Sequence, residues 1–354
     1  SQKQVELSQE FESWIKKEGN KYVGELETIY NETFNSTVEK KIDVSGFDKF
    51  PGATDTKLPR AHQKEGVMRG LDQATMLAHE VGTGKTMTLI ATAMEMRRLG
   101  LAKKPVIVVQ RSTYRQFVNE IKSLYPGAKI LVPSSKDLTQ EKREQLLSKI
   151  AYNDWDIVVL YHSYLDSIPD DPSRVAAYIQ ERIEEKLEAL DELRDSDDPN
   201  AKYYIKSLEK EIEDLETQRN TALTESSEIA DKKEKSVKQR EKSKKSAETG
   251  IKRLIDRKTD NVLMFEQTGI DALLIDEAHA YKKLGFVTNL KSVKGVDVAA
   301  SKRAQSLKLK TQYILDNNNG KNVVLATGTP ISNTMAEMWT WLRYLLPKEE
   351  LERV

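Results

Sequence analysis

The chain alternates short, uninterrupted apolar runs with longer stretches in which apolar and polar residues mix. Four runs are strongly apolar and mostly β-branched, and a fifth is weaker; they cover residues 105–109, 157–160, 272–275, 323–326 and 74–78. Runs of this length, separated by amphipathic stretches, are typical of strands that are buried on both faces of a parallel sheet. A single run is equally compatible with buried helix. Five in alternation predict an α/β domain with a parallel sheet sandwiched by helices.

A long polar segment, residues 171–261, interrupts this alternation. It carries two narrow apolar seams at helical spacing, one formed by Ile179, Ile183, Leu187 and Leu190 and the other by Ile205, Leu208, Ile212 and Leu215. A turn-forming stretch, 195–200, separates them. The pattern predicts an inserted, charged helical hairpin, a coiled-coil arm that projects from the sheet domain.

Charge is unevenly distributed along this predicted hairpin. Its first arm is acidic, whereas the stretch 232–245 is strongly basic. The basic stretch has three interpretations: it contacts nucleic-acid phosphates, it is a solvated linker, or it forms a third helix that pairs with the acidic arm.

Composition narrows the class of protein. The 354 residues contain 56 Lys plus Arg and 56 Asp plus Glu, so the formal net charge is zero. The overall charge therefore gives no indication of nucleic-acid binding. The absence of cysteine excludes disulfides, cysteine metal sites and a thiol nucleophile. No apolar stretch is long enough for a membrane span, and we expect a cytoplasmic protein without a membrane partner. Because the chain begins with Ser1 and stops just after an apolar, helix-like stretch, we expect it to be part of a longer protein.

A glycine-rich loop follows the weakest apolar run and precedes a stretch of residues that favour a helix. It consists of Gly82, Thr83, Gly84, Lys85 and Thr86. Backbone N–H groups of such a loop surround phosphate oxygens, the lysine reaches the terminal phosphates and the threonine hydroxyl ligates magnesium. The full phosphate-loop pattern has glycine at position 79, where this chain has His79.

Polar residues follow two further apolar runs. Asp276 and Glu277 come directly after run 272–275, and on their own they would also suit the beginning of a helix. Next to a phosphate loop they suit a magnesium ligand and a residue that orients and deprotonates water. Thr327 and Thr329 follow run 323–326. Since ligands of open α/β sheets bind beyond the carboxyl ends of the strands, these segments predict one ATP site with Mg²⁺.

Taken together, these motifs resemble superfamily 2 helicases, and most of all the first RecA-like motor domain of Swi/Snf-type DNA translocases. The matching stretches are LPRAHQKEG (58–66), AHEVGTGKT (78–86), PVIVVQRSTYRQFVNEI (105–121), DIVVLYHS (156–163), LLIDEAHAYK (273–282) and VVLATGTPISNTMAEMW (323–339). Three further segments are similar to the helicase part of large helicase–methyltransferase proteins of bacterial mobile elements and phages. They are YNETFNS, FPG and FEQTGIDALLIDEAH.

The resemblance implies a domain organisation and a set of partners. Residues 55–170 and 262–354 would form the RecA-like, P-loop NTPase domain, with 1–54 as an N-terminal helical extension and 171–261 as the inserted hairpin. The implied partners are double-stranded DNA, a second RecA-like domain and, in the parent protein, a DNA methyltransferase module. The implied source is bacterial or phage-encoded.

The resemblance also assigns roles to single residues. Gln63 would read the adenine edge, and Lys85, Asp276 and Glu277 would be catalytic, with Thr86 and Asp276 on the metal. His279, of the DEAH sequence, and Thr327 and Thr329 would couple hydrolysis to movement along DNA. Arg111, Ser112 and Thr113 would grip the DNA backbone.

Three functions are compatible with these motifs. The leading hypothesis is the ATP-binding half of a double-stranded DNA translocase, nearly inactive alone because arginine fingers come from the second domain. The first alternative is a strand-separating DNA or RNA helicase. The second is a non-catalytic, ATP-gated DNA-binding scaffold, which has no chemical need for intact Lys85, Asp276 and Glu277.

Overall fold

The computed structural model describes two compact units. The described residues are 3, 7, 10, 13, 14, 23–34, 42–55, 58–133, 140–194, 201–243, 263–285, 301–333, 335–351 and 353. The units are Ser1–Asp43 and Val44–Val354. The first contains helix α1, Val23–Phe34, on which the side chains of Ile29 and Tyr30 are more than half exposed.

In the second unit the described residues include six strands in one parallel sheet. The strands are β1 Thr75–Leu77, β2 Pro105–Val109, β3 Ile130–Leu131, β4 Ile157–Tyr161, β5 Ala272–Ile275 and β6 Val323–Ala326. Their order across the sheet is β1-β6-β5-β2-β4-β3, and every adjacent pair is parallel. All residues of β2, β4, β5 and β6 are buried, as their apolar sequences require. The predicted α/β class with a parallel sheet is confirmed.

Helices connect the strands. They are α2 Ala61–Asp72, α3 Lys85–Arg98, α4 Tyr114–Leu124, α5 Gln140–Tyr152, α6 His162–Leu165, α7 Pro172–Arg194, α8 Ala201–Ser243, α9 Lys302–Asn317, α10 Ala336–Leu345 and α11 Lys348–Leu351. Two 3-10 turns, Phe265–Gln267 and Ala278–Tyr281, flank β5. Helix α4 shows the underlying pattern, because its buried Phe117, Ile121 and Leu124 share one face at helical spacing.

Helices α7 and α8 run antiparallel within the polar segment. Lys186 Nζ lies 2.5 Å from Glu211 Oε2, and Arg194 Nη2 lies 3.4 Å from Glu209 Oε1. Between the helices Ile179, Ile183 and Ile212 form a buried cluster, with Val175 and Leu215 packed against it.

One residue of the predicted seam is wrong. Leu187 is 43% exposed and lies outside the cluster, so it is not part of the buried seam. The turn-forming stretch 195–200 and the side chains of the basic stretch 232–245 lie outside the described residues.

The root of the two helices is fixed to the sheet domain by a buried lysine. Lys310 Nζ of α9 donates to Ile168 O at 3.0 Å and to Asp170 Oδ1 at 2.7 Å, just before α7 begins. Phe265 N, where the chain returns, donates to Pro169 O at 2.8 Å. The two ends of the segment therefore leave and re-enter the domain side by side.

Candidate nucleotide site

The sheet order brings the predicted site segments to neighbouring positions. The phosphate loop follows β1, the segment 276–279 follows β5 and the segment 327–329 follows β6, which lies between them. Because all strands are parallel, their carboxyl ends meet at one edge of the sheet. The backbone N–H of Thr327 donates to Leu77 O at 3.1 Å, so the exit of β6 is bonded to the exit of β1.

The phosphate loop has the backbone conformation that its glycines permit. Gly82 and Gly84 have φ angles of 89° and 90°, in a region that side-chain-bearing residues rarely adopt. Helix α3 begins immediately afterwards at Lys85, so the N-terminal N–H groups of the helix face the loop.

Lys85 extends from this helix across the loop. Its side chain is buried, and Nζ donates to the carbonyl oxygens of His79 at 3.0 Å and Glu80 at 3.4 Å. A Cβ placed on Gly328 would lie 3.4 Å from the same nitrogen. The ammonium group therefore lies between the phosphate loop and the segment after β6. Thr86 follows in the first turn of α3 and is half-buried.

Gln63, on α2, braces the loop from the other side. Its Nε2 donates to Thr83 O at 3.0 Å, and its Oε1 accepts from Arg60 N at 2.8 Å. The His62 ring also reaches Thr83 O at 3.0 Å. A Cβ at Gly84 would lie only 2.0 Å from Gln63 Nε2, so the close approach of α2 also requires glycine. In the structure the side-chain amide of Gln63 thus bonds to protein backbone.

Asp276 is a buried acid at the end of β5. Burial, with the neighbouring charge of Glu277, raises its pKa to about 6, and Lys85 opposes this shift. Its backbone carbonyl lies 2.8 Å from His162 Nε2. Burial lowers the pKa of His162, so the ring is neutral at neutral pH.

Glu277 adopts the left-handed backbone region, with φ 51°. For a residue with a side chain this conformation costs free energy and is concentrated at functional sites. The turn places Glu277 Oε2 at 3.0 Å from His279 Nδ1, which is also 3.5 Å from Thr327 Oγ1. Thr327 Oγ1 in turn accepts from Thr329 N at 3.1 Å. A continuous chain of polar contacts therefore joins the segments after β5 and β6.

The predicted DNA-contacting residues follow β2, the strand next to β5. Arg111 and Ser112 are exposed, and Thr113 is half-buried because its Oγ1 donates to Gln110 O at 3.2 Å. The structure thus places them at the same sheet edge, on the surface. It brings Lys85 close to the segment after β6, and His279 close to Thr327.

Sequence analysis missed three polar residues of this edge: His162, Lys282 and Glu337. His162 directly follows the buried strand β4. Asp276 and Thr327 were identified because they too follow buried strands, so the sequence could also have identified His162. Lys282 and Glu337 are separated by 55 residues and meet only in the fold, at 2.9 Å. No sequence spacing shows such a pairing.

The family of the chain is settled by a family model. The model, described as a probable helicase domain, matches residues 68–241 and 206–354. The chain belongs to this helicase-domain family. The helicase part of the predicted resemblance is thereby confirmed, and the matched residues include the phosphate loop and the segments after β5 and β6.

Two individual proteins are similar to this helicase domain. "Defense against restriction protein B" of Escherichia phage P1 is 32% identical over 94 residues, which are 25% of this chain and 4% of that protein. The Sulfolobus solfataricus SWI2/SNF2 ATPase core in complex with dsDNA is 13% identical, with a TM-score of 0.40, over 86% of this chain and 40% of that one. The helicase domain spans only a small part of the phage relative.

None of the described helices has the length and apolar character needed to cross a membrane. Within the same residues, no three His, Cys, Asp or Glu side chains are grouped as a metal site.

Proposed function

We propose that this helicase domain is the ATP-binding half of an ATP-dependent translocase on double-stranded DNA. The observation that carries the proposal is the convergence at one sheet edge. A buried lysine in a glycine loop, a buried acid with a neighbouring glutamate, and a threonine segment all meet there. Phosphoryl transfer depends mainly on such positioned charges rather than on covalent chemistry.

Lys85 would exchange partners when nucleotide binds. In the structure its ammonium is held by two carbonyl oxygens of its own loop, at positions 79 and 80. Phosphate oxygens carry more negative charge than carbonyls and would replace them, while the N–H groups of the glycine loop and of the α3 N-terminus surround the same anion.

The residues present fit a magnesium ion. Mg²⁺ binds hard oxygen ligands, typically one or two from the protein together with phosphates and water. Thr86 and Asp276 supply a hydroxyl and a carboxylate. Asp276 is buried with a raised pKa, so a nearby cation would stabilise its ionised form. When bound, the ion would neutralise charge on the phosphates.

Glu277 is the residue we assign to the attacking water. Its carboxylate is 27% exposed, so it is open to solvent at the sheet edge, and His279 holds one oxygen at 3.0 Å. A carboxylate fixed in this way orients a water molecule and accepts its proton. Because His279 contacts both Glu277 and Thr327, a change in the position of Glu277 would alter the positions of Thr327 and Thr329.

The domain would need its partner domain for turnover. Arginine fingers contribute about 10³ to 10⁵ in rate to related phosphoryl transfers, and we assign them to a second RecA-like domain of the parent protein. The 354-residue chain should therefore bind nucleotide but hydrolyse it barely above background. Arg111, Ser112 and Thr113, on the surface after β2, are the residues we propose for the DNA backbone.

The test is ATP turnover by the parent protein with Lys85→Ala or Glu277→Gln. Each variant should lose at least about a hundredfold in turnover, because each removes a charge that acts in the transition state. Matched controls are Lys149→Ala, an exposed lysine of α5, and Glu349→Gln, an exposed acid of α11. Unchanged turnover in Lys85→Ala would eliminate the motor.

The nucleic acid is tested separately, by adding duplex DNA, single-stranded DNA or RNA to the parent protein. We expect duplex DNA to stimulate turnover most. Stimulation by single strands or RNA instead would favour a strand-separating helicase, and no stimulation by any of the three would contradict a nucleic-acid motor.

A further inference from the structure

A buried glutamate organises the segment that follows Thr327 and Thr329. Glu337 lies in the first turn of α10 and is 3% exposed. Its Oε2 accepts from Ser332 N at 2.6 Å, and its Oε1 accepts from Asn333 Nδ2 at 2.8 Å. One turn further along, Trp341 Nε1 donates to Pro330 O at 2.7 Å. Helix α10 therefore holds the segment 330–333 through two side chains.

The same glutamate is paired with the segment after β5. Lys282 Nζ donates to Glu337 Oε2 at 2.9 Å and also bonds to Ser332 Oγ. Lys282 directly follows the 3-10 turn that contains His279. Burial disfavours ionisation of Glu337, but the bonds from Ser332, Lys282 and Asn333 outweigh it and keep its pKa below the ordinary value. Glu337 is therefore ionised at neutral pH.

Such a pair is poorly explained by stability alone. Taking two charges out of water costs free energy that their attraction only partly offsets, so a buried ion pair is weak evidence for stabilisation. What the pair does provide is a fixed geometry: the lysine follows His279, and the glutamate bonds the segment that follows Thr329. Between these anchors lies the 3.5 Å contact of His279 Nδ1 with Thr327 Oγ1.

We infer that Lys282 and Glu337 are positioning residues, which hold the segments after β5 and β6 in the register that the ATP chemistry and its coupling require. The inference rests on the proposed function of the same edge. Neither residue is assigned a contact with nucleotide. Their loss should therefore slow turnover without weakening nucleotide binding.

The experiment is a double-mutant cycle in the parent protein, with Glu337→Gln, Lys282→Met and the two combined. Each single change should lower kcat about tenfold and leave the KM for ATP within about twofold, because the geometry of the transition state is disturbed rather than ground-state binding. The double variant should be no worse than either single one, since both changes remove the same link. Additive losses would contradict the inference.

Conservative and neighbouring substitutions separate positioning from folding. Lys282→Arg keeps a charged donor and should retain most of the turnover, whereas Lys282→Met should not. Lys283→Met and Glu350→Gln, both exposed, are the matched controls. If Glu337→Gln unfolds the protein, the comparison of Lys282→Arg with Lys282→Met decides alone: equal turnover in these two variants would overturn the inference.

The outcome is distinguishable from failure of the proposed function. If Lys85→Ala abolishes turnover while Glu337→Gln and Lys282→Met both retain full kcat, the nucleotide site stands and the positioning role falls. If Lys85→Ala has no effect, the proposed function falls first.

Discussion

At the residue scale, the phosphate loop depends on two glycines that are required for different reasons. Gly82 and Gly84 share a positive φ near 90°, but only Gly84 is crowded. Around Gly82 a Cβ would find no atom within 4 Å, whereas at Gly84 it would meet Gln63 Nε2 at 2.0 Å. Gly82 is therefore required only for its backbone conformation, whereas Gly84 is also required because α2 approaches it closely.

Substituting each glycine by alanine should show this difference. Gly82→Ala should cost about 1 to 2 kcal/mol in the free energy of unfolding, the typical cost of a left-handed alanine. Gly84→Ala should cost more, by about 1 kcal/mol or above, because Gln63 must also give up hydrogen bonds to Thr83 and Arg60. Urea unfolding of both variants measures the difference. Equal losses would show that Gln63 does not brace the loop.

Lys308 of α9 gives a prediction about pH. Burial, assisted by the charge of Arg343, lowers its pKa to about 8. The folded protein then releases a proton more readily than the unfolded chain, so stability lost at neutral pH is regained as pH rises from about 8 towards the ordinary lysine value.

The variant Lys308→Met removes this titration. Relative to the variant, the natural chain should gain about 2 kcal/mol in the free energy of unfolding between pH 7 and pH 10. Loss of the lysine's bonds to Gln312 and Arg343 is independent of pH and drops out of the comparison. Urea unfolding of both proteins at several pH values measures the difference in their free energy of unfolding. A constant difference between the two proteins would contradict the lowered pKa.

At the scale of elements, the buried strands were the easiest part of the fold to predict. The predicted runs 105–109, 272–275 and 323–326 coincide with β2, β5 and β6, because a strand covered on both faces is apolar throughout. Strand β3, Ile130–Leu131, was missed, since two residues at a sheet edge leave no pattern. Contacts between distant segments, such as Lys282 with Glu337, also left none, because they depend on the strand order.

Helices α7 and α8 show how much of the hairpin can be predicted from the spacing of apolar residues. Spacing identified the helices and most of their seam, but it did not show which residues near the end of α7 meet α8. Ile183 is 2% exposed, whereas Leu187, one turn later, is 43% exposed.

These two residues form a matched pair for mutation. Ile183→Ala should cost about 2 to 4 kcal/mol because it leaves a cavity in the buried cluster. Leu187→Ala should change stability by less than about 0.5 kcal/mol, as expected for a surface position. Thermal unfolding followed by circular dichroism, together with hydrogen exchange across α7 and α8, measures both. A larger loss for Leu187→Ala would mean that the seam runs as its spacing suggested.

At the scale of the whole molecule, the proposed function makes this domain one half of a two-domain motor. Its active edge carries the phosphate loop, the acids after β5 and the threonines after β6, all accessible from the ends of the strands. Motion along DNA would require a second domain to close on this edge and open again with each ATP. We propose that the parent protein supplies that domain, and that a methyltransferase module is attached to it.

The base of the hairpin is hydrogen-bonded to the segment after β5. Arg182 of α7 and Arg343 of α10 both donate to Gly285 O, at 2.8 and 2.7 Å. Gly285 lies a few residues after His279, so the base of the hairpin and the segment after β5 share a contact.

The central claim is that Lys85, Thr86 and Asp276 form one site for ATP with its magnesium ion. The most direct test is calorimetric titration of this 354-residue chain with a non-hydrolysable ATP analogue, with and without Mg²⁺. Binding should be stronger with Mg²⁺, and Lys85→Ala and Asp276→Asn should each weaken it at least about tenfold, whereas Lys149→Ala should not. Magnesium-independent binding that survives both substitutions would contradict the account.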